Sequence, residues 1–440
     1  MDPDGRGTEK RTPPTGPDGR REPATRPPGP VPRPLGLPPA DFDRDPVACL
    51  ARLRDEYGDV CSIASGRVLL ARPEWMHWAL ARSNGAARAD QFEEPPQFRR
   101  PDLIRDHVET WMAARRTAQW HRLGRDVAER TAPVMRRSLL SFMDAAGDSP
   151  AGLADCQLAV LDAAGGVFVR DLEGPLRSAF LAAAVLLQRE SMASFALPYR
   201  FSPRARRRLR ANTVWIEALV AHVGARRAAR DAAEPPSDLL DLLLDARDDD
   251  RPAFSDLEVA QALSINLGNV YTVGGTGLAW LLAACGEHGV ARPEGVGAED
   301  WARAVVKETL RLYPAVALTS RTLTEDAEFG GVAVPAGDSV VLSSLLLHTD
   351  PRWWREDPGR FDPARWLAEE VHDAHAYLPY GAGPRICTGV HVSNAVLESA
   401  AGLLADRAVT GRSGLPGRRW GAITQPRRFR VRIGRGAAAG

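Results

Sequence analysis

The sequence predicts a mainly α-helical fold with small β-sheets at its edges, and three observations predict it. Helical periodicity dominates from Pro73 onward. Strand signals are few and short, and Gly or Pro punctuates them. The composition, 44% hydrophobic and 26% charged over 440 residues, is an ordinary globular balance. No internal repeat is visible.

Composition also excludes several classes. The 57 basic and 56 acidic side chains nearly cancel, so no global field draws the chain to nucleic acid. Apart from one Gly-rich stretch, no run of 18 apolar residues lacks a charge, and no secretory apolar region opens the chain. A cytoplasmic protein with no membrane span is expected. The cysteines Cys49, Cys61, Cys156, Cys285 and Cys387 are odd in number and scattered, which suits neither a disulfide framework nor a zinc site. Four of them read as small core residues. His372 and His375 form a lone HxxH with no third ligand nearby and read as an exposed loop.

Along the chain, twelve of the 35 prolines fall in the first 40 residues, among Gly, Arg and Asp. Such a stretch buries too little apolar surface to offset its ordering entropy, so 1–35 is expected to be a disordered arm and 36–440 a single domain. Residues 43–57 form an amphipathic helix stopped at Gly58. Segments 60–63 and 67–71 form a hairpin turning at Ser65-Gly66. The next strand signals come at 327–342, where Gly330-Gly331 and Pro335-Ala336-Gly337 break short β segments. Ser255-Asp-Leu-Glu258 is a capping box that opens a helix running to about Cys285. Gly268, Gly274, Gly275 and Gly277 interrupt it, each costing about 1 kcal/mol relative to alanine. Four such residues suggest close approach by something bulky, or else a local kink.

The decisive segment is Tyr380-Gly-Ala-Gly-Pro-Arg-Ile-Cys387-Thr-Gly389, followed by a helical pattern through Leu404. Its glycines allow a tight turn beneath a flat ligand. Cys387 stands just before a helix, where free amides and the positive dipole end favour a thiolate. Arg385 suits a carboxylate on the ligand's rim. A thiolate donating to haem iron, softened by backbone N–H groups, is the recipe such a segment fits.

On these residues the sequence resembles the cytochrome P-450 family, whose signature reads Phe-x-x-Gly-x-Arg/His-x-Cys-x-Gly. Tyr380 stands where that pattern has Phe. Lys307-Glu-Thr-Leu-Arg311 carries the family's Glu-x-x-Arg, and Phe361-Asp-Pro-Ala-Arg365-Trp resembles the loop whose arginine completes that salt-bridge network. The resemblance runs from Pro34 to about residue 436. It implies a haem-thiolate fold and haem b (iron protoporphyrin IX), with Cys387 as the metal ligand and Tyr380, Gly381, Arg385 and Gly389 around it. Glu308, Arg311 and Arg365 then have structural roles. Propionate anchors are His121, Arg125 and Arg321, with Trp111/Arg115 as a competing register for the first two. The implied substrate pocket is lined by 86–105 and by the small apolar Ala315, Val316 and Leu318. The Arg99-Arg100 pair is either a carboxylate contact or simply solvated.

The resemblance breaks on the central helix. Family members carry an acid followed by an alcohol there, and the pair delivers protons during dioxygen activation. Counting back from Cys285-Gly-Glu-His288 puts Asn269 and Val270 at those positions, with Gly274 beyond them. A register one turn later brings Thr272 or Thr276 nearer. No register restores the acid, because no Asp or Glu lies between Gln261 and Gly286. An amide relays no proton as a carboxylate does, and valine donates no hydrogen bond.

Three explanations compete. A substrate that is already activated, for instance through an N–O bond, passes a group to the iron and then closes a ring or forms a C–N or C–O bond. In a monooxygenase, a substrate hydroxyl or ordered water replaces the relay. The position is otherwise relaxed at modest cost. The expected setting is tailoring of a small hydrophobic natural product by a monomer, with a ferredoxin and its reductase supplying electrons where they are needed and docking near Arg116, Arg122 and Arg385. A non-catalytic haem sensor or ligand binder is the rival class.

Overall fold

The computed structural model of the chain describes residues 27–31, 36–82, 85–88, 125–191, 203–231, 233–246, 254–354, 357–367, 375–405, 407–411 and 417–434. Local chemistry sets the first elements. Asp45 accepts from the Ala48 amide and Pro46 occupies the first turn, so α1 runs Pro46–Tyr57, three residues shorter than expected. Gly58, at φ 97°, stops it. Strands β1 (Val60–Ala64) and β2 (Arg67–Leu70) pair antiparallel with Ala64 opposite Arg67, which leaves Ser65-Gly66 as the turn. Part of the arm departs from expectation. Within 27–31, the Pro28 carbonyl accepts from the Ser62 amide at 2.7 Å, so this stretch is laid on β1 rather than left unpartnered. The rest of the expected arm, 1–26 and 32–35, lies outside the described residues.

After α2 (Pro73–Ala81) and β3 (Ala87–Arg88), helices carry the chain. These are α3 (Arg125–Asp148), α4 (Leu153–Ala164), α5 (Gly174–Ser191), α6 (Pro203–Ala229) and α7 (Leu239–Asp245). Buried Arg226 on α6 joins Asp171, Asp238 and Asp241, which pins α7 in place. The central helix follows in three parts: α8 (Asp256–Asn269), a π-helical stretch (Val270–Gly274) and α9 (Gly275–His288). Ser255 and Glu258 form the expected reciprocal cap. Helix α10 (Ala298–Leu312) leads into the strands.

The strands are β4 (Leu318–Leu323), β5 (Ala327–Phe329), β6 (Val332–Val334) and β7 (Ser339–Ser343). The main sheet has the order β1-β2-β7-β4-β3, with β2 and β7 parallel and the other pairs antiparallel. Strand β4 begins nine residues before the first strand signal expected after the hairpin. Its Leu-Thr-Ser-Arg-Thr-Leu sequence lacks the β-branched apolar run that marks a strand, and pairing with β7 supplies what propensity does not. After α11 (Ser344–His348) and α12 (Val390–Leu404) come β8 (Val409–Gly411), β9 (Arg418–Arg419), β10 (Gln425–Pro426) and β11 (Val431–Ile433), in short antiparallel pairs.

The main core lies between α3, α4, α9, α10 and α12, where α3 packs on α4 and α12, and α4 packs on α9. This packing corrects the reading of the glycines as room for a bulky ligand. A Cβ on Gly275 would lie 2.5 Å from Gln157 Cα, and one on Gly274 would lie 3.0 Å from Val160 Cγ1, both residues of α4. Gly277 faces Leu397 of α12 at 3.6 Å. The bulky neighbour of these three is protein. Gly268 has nothing within 4 Å.

The contrast is testable by thermal denaturation. Gly268→Ala should stabilise by about 1 kcal/mol, the helix-propensity gain. Gly275→Ala should lower the midpoint by roughly 1–3 kcal/mol equivalent despite the same gain, because α4 cannot retreat without overpacking strain.

Candidate functional site

The best-defined cluster is built on Glu308 and Arg311, one turn apart on α10 and both fully buried. Arg311 Nε and Nη2 donate to the two Glu308 oxygens, each at 2.7 Å. The same carboxylate accepts from Arg365 Nε at 3.1 Å, Trp366 Nε1 at 3.0 Å and the Asp362 amide at 2.8 Å. Arg311 spends its other N–H groups on the carbonyls of His348, Pro358 and Arg360. Its guanidinium also lies 4.8 Å over the Trp354 ring. The expected Glu308–Arg311–Arg365 set is therefore assembled.

His348 extends this cluster and was not anticipated. It is fully buried, with Nδ1 3.0 Å from the Arg311 carbonyl and Nε2 accepting from the Leu378 amide at 2.9 Å. A neutral ring with the proton on Nδ1 satisfies both bonds. Leu378 lies two residues before Tyr380, so the α10 cluster reaches the start of the cysteine loop.

That loop is tightly determined. Gly381 and Gly383 both have φ +71°, a left-handed conformation glycine adopts without strain. Gly383 also presses on α2, where a Cβ would lie 2.5 Å from Ala81 Cα and from the Leu80 carbonyl oxygen. A 3₁₀ turn spans Gly383–Arg385, and Cys387 N donates to the Tyr380 carbonyl at 3.0 Å. Helix α12 starts at Val390, so the sulfur stands near its positive end. A Cβ on Gly389 would lie 3.9 Å from Cys387 Sγ, so a longer side chain there would crowd the sulfur.

The thiols separate cleanly. Cys387 is exposed, whereas Cys49, Cys61, Cys156 and Cys285 are buried. Burial pushes Cys49 up to about 11 and Cys61 and Cys285 up to about 12, and it raises Cys156 as well. These four are protonated core thiols, in keeping with their expected role.

Of the other expected residues, Arg321 is buried on β4, with Nη1 2.7 Å from the Ser320 carbonyl oxygen. His121 lies outside the described residues, as do Trp111, Arg115, Arg116, Arg122, the Arg99-Arg100 pair and His372; Arg125 begins α3, but its side chain is likewise outside them. Of 86–105, only 86–88 is described. His375 is exposed, as expected of a loop, and stacks on His77 at 4.0 Å.

Ala315 is buried, Val316 exposed and Leu318 half-buried. This segment is braced by residues that carry no sequence signal. Ser343 Oγ and Ser344 Oγ donate to the carbonyls of Ala317 and Val316. Thr424 N donates to the Ala315 carbonyl at 2.7 Å, and the Thr424 carbonyl accepts from Trp280 Nε1 of α9 at 2.8 Å. On the central helix, Asn269 is exposed, Val270 and Gly274 are half-buried and Thr272 is buried. The π-helical stretch centres on Thr272, whose hydroxyl donates to the Gly268 carbonyl at 2.6 Å. Thr276 likewise donates to the Thr272 carbonyl.

A family model described as Cytochrome P450 matches residues 301–400, the stretch from α10 through the cysteine loop into α12. Over that stretch the chain is similar to the cytochrome P450 family. It is 33% identical over 208 residues to the putative cytochrome P450 135B1 of Mycobacterium tuberculosis (strain ATCC 25618 / H37Rv), covering 44% of this chain and 43% of that one. It is 38% identical over 105 residues to cytochrome P450 714B2 of Oryza sativa subsp. japonica, 24% of this chain and 20% of the rice protein. The chain thus spans less than half the length of these curated relatives. The crystal structure of the cytochrome P450DA heme domain superposes with a TM-score of 0.71 at 18% identity, covering 94% of this chain and 98% of that one, a likeness of fold. The mainly α fold with small sheets is the expected one.

The cytochrome P450 match implies a haem, and the residues fit one. The donor set offers an exposed thiol at a helix start, reached through two left-handed glycines. Arg321 and Arg385 supply guanidinium groups suited to carboxylates. Among the described residues, no helix is long and apolar enough to cross a membrane.

Glu308→Ala should destabilise the protein by about 3–5 kcal/mol, because it strands the buried Arg311 charge. Urea denaturation of the purified variant checks this, and a loss below about 1 kcal/mol would contradict the cluster's structural role.

Proposed function

We propose that this chain is a haem-thiolate enzyme acting on a small hydrophobic molecule, a natural-product intermediate, by a reaction other than ordinary hydroxylation. The favoured chemistry is group transfer from a substrate that arrives activated, for example through an N–O bond, ending in ring closure or a new C–N or C–O bond. One observation carries this reading. The central helix has no Asp or Glu from Gln261 to Gly286, and both its Thr272 and Thr276 hydroxyls donate to helix carbonyls. Neither Asn269 nor Val270 relays a proton.

Bound haem b would supply an iron centre able to exchange electrons with the substrate. The chain's own residues do the rest. Cys387 would hold the metal, with the α12 dipole favouring its ionised form. Arg321 and Arg385 would hold the haem carboxylates, with His121 and Arg125 the further candidates from the sequence. Ala315, Val316 and Leu318 form an apolar wall, and their braced backbone fixes the substrate's position.

A second reading, a ferredoxin-dependent monooxygenase, is supported by Thr272. Its place in the π-helical stretch favours the later register, in which a substrate hydroxyl or ordered water works with this side chain in place of the acid. In either case the setting is a cytoplasmic monomer.

The deciding experiment incubates the holoprotein with N-oxygenated candidate substrates, with and without dioxygen and a reductase. Product without dioxygen is the expected result, and a strict dioxygen requirement would move the assignment to the second reading. A substrate-induced spectral shift with no product under any oxidant would make the chain a ligand-binding haem protein. Cys387→Ser should abolish the red-shifted band of the ferrous carbonyl complex, and an unchanged spectrum would refute the ligand assignment. Asn269→Asp combined with Val270→Thr should increase ordinary hydroxylation.

A further inference from the structure

We propose that the Tyr380 hydroxyl is a positioning group for the axial sulfur, clasping the loop before Cys387 to the helix after it through Asn394. The proposal rests on the haem-thiolate reading above and concerns what holds the thiolate at a fixed depth beside α12.

The geometry is specific to a tyrosine. Tyr380 Oη lies 2.5 Å from Asn394 Oδ1 and 3.3 Å from Ser393 Oγ. A phenol has one proton, so the shorter contact takes it and Tyr380 donates to Asn394. The same residue's carbonyl accepts from Cys387 N. Tyr380 thus holds the cysteine by its main chain and the second turn of α12 by its side chain. Phenylalanine, the residue in the family signature, would keep the ring and lose the second bond.

Other contacts tie the same loop to different neighbours. Gly383 is wedged against Leu80 and Ala81 of α2, and the Leu378 amide is tied to His348. Both act on the near side of the loop. The Tyr380–Asn394 bond joins the loop to α12 itself, and so bears on where the sulfur stands relative to that helix's first free amides. Dipole and amide stabilisation of an anion fades within a single turn, so a small tilt changes the thiolate's stability. Asparagine is also a weak helix former, and its place inside α12 is explained by this contact.

The test uses holoprotein carrying Tyr380→Phe, Asn394→Ala, or both. Three quantities are read: the decay rate of the red-shifted ferrous carbonyl band, the haem reduction potential and the thermal midpoint. Each single variant should speed the decay about fivefold, the factor corresponding to one net buried hydrogen bond of about 1 kcal/mol. Each should also shift the reduction potential, and the double variant should match the singles because they break the same bond. Decay at the parent rate in both singles overturns the proposal. So do independent, multiplying effects in the double variant, or faster decay that tracks a lower thermal midpoint with an unmoved potential. If the parent itself gives no red-shifted band, the haem-thiolate reading fails instead, and the two failures are thereby told apart.

Discussion

A carboxylate with no access to water is tenable only if its charge is matched and its lone pairs are filled. Glu308 meets both conditions with donors from Arg311, Asp362, Arg365 and Trp366. Arg311 in turn requires carbonyls from His348, Pro358 and Arg360. Segments far apart in sequence must therefore all be in place before this pair is stable. From His348 the constraint passes to Leu378, then to Tyr380 and by its carbonyl to Cys387. The position of the sulfur is thus inherited from a buried ion pair more than 70 residues earlier in the chain. The desolvation cost of a buried ion pair offsets much of its attraction, so its net stability contribution is far smaller than the cost of breaking it.

The central helix is shaped by a different constraint. Close packing on α4 demands glycine at 275, the first residue of α9, and leaves little room at 274, the last residue of the π-helical stretch through which the helix changes pitch. π-helical turns cost regular hydrogen bonding and tend to persist where function uses them. Here the irregular turn carries a threonine and no acid, and the threonine proton is occupied by a main-chain carbonyl. The helix is therefore built to pass close to its neighbours and poorly equipped to move protons. That combination underlies the proposal of a reaction that does not depend on protonating dioxygen.

Much of the architecture was legible without coordinates. The Ser65-Gly66 hairpin, the Ser255/Glu258 cap, the stop at Gly58 and the helix after Cys387 follow rules that act within a few residues. The spacing of Glu308 and Arg311 placed both on one helical face, and the glycine pattern marked the turn that carries Cys387. Strand β4 was missed because its residues have no strand character of their own, and the segment at Pro28 because its composition argued for disorder while β1 offered it a partner.

What the sequence by itself determined is the glycine turn that carries Cys387, the helix that follows it and the absence of an acid on the central helix from Gln261 to Gly286, because spacing, capping and turn chemistry are written locally. Only the tertiary structure decided who meets whom. It assigned Gly274 and Gly275 to α4, His348 to the path between Arg311 and Leu378, Thr424 to the gap between Trp280 and Ala315, and Asn394 to Tyr380. The physical reason is that a buried polar group or a missing Cβ declares a need, and which distant residue fills it depends on how the helices and sheets have already packed.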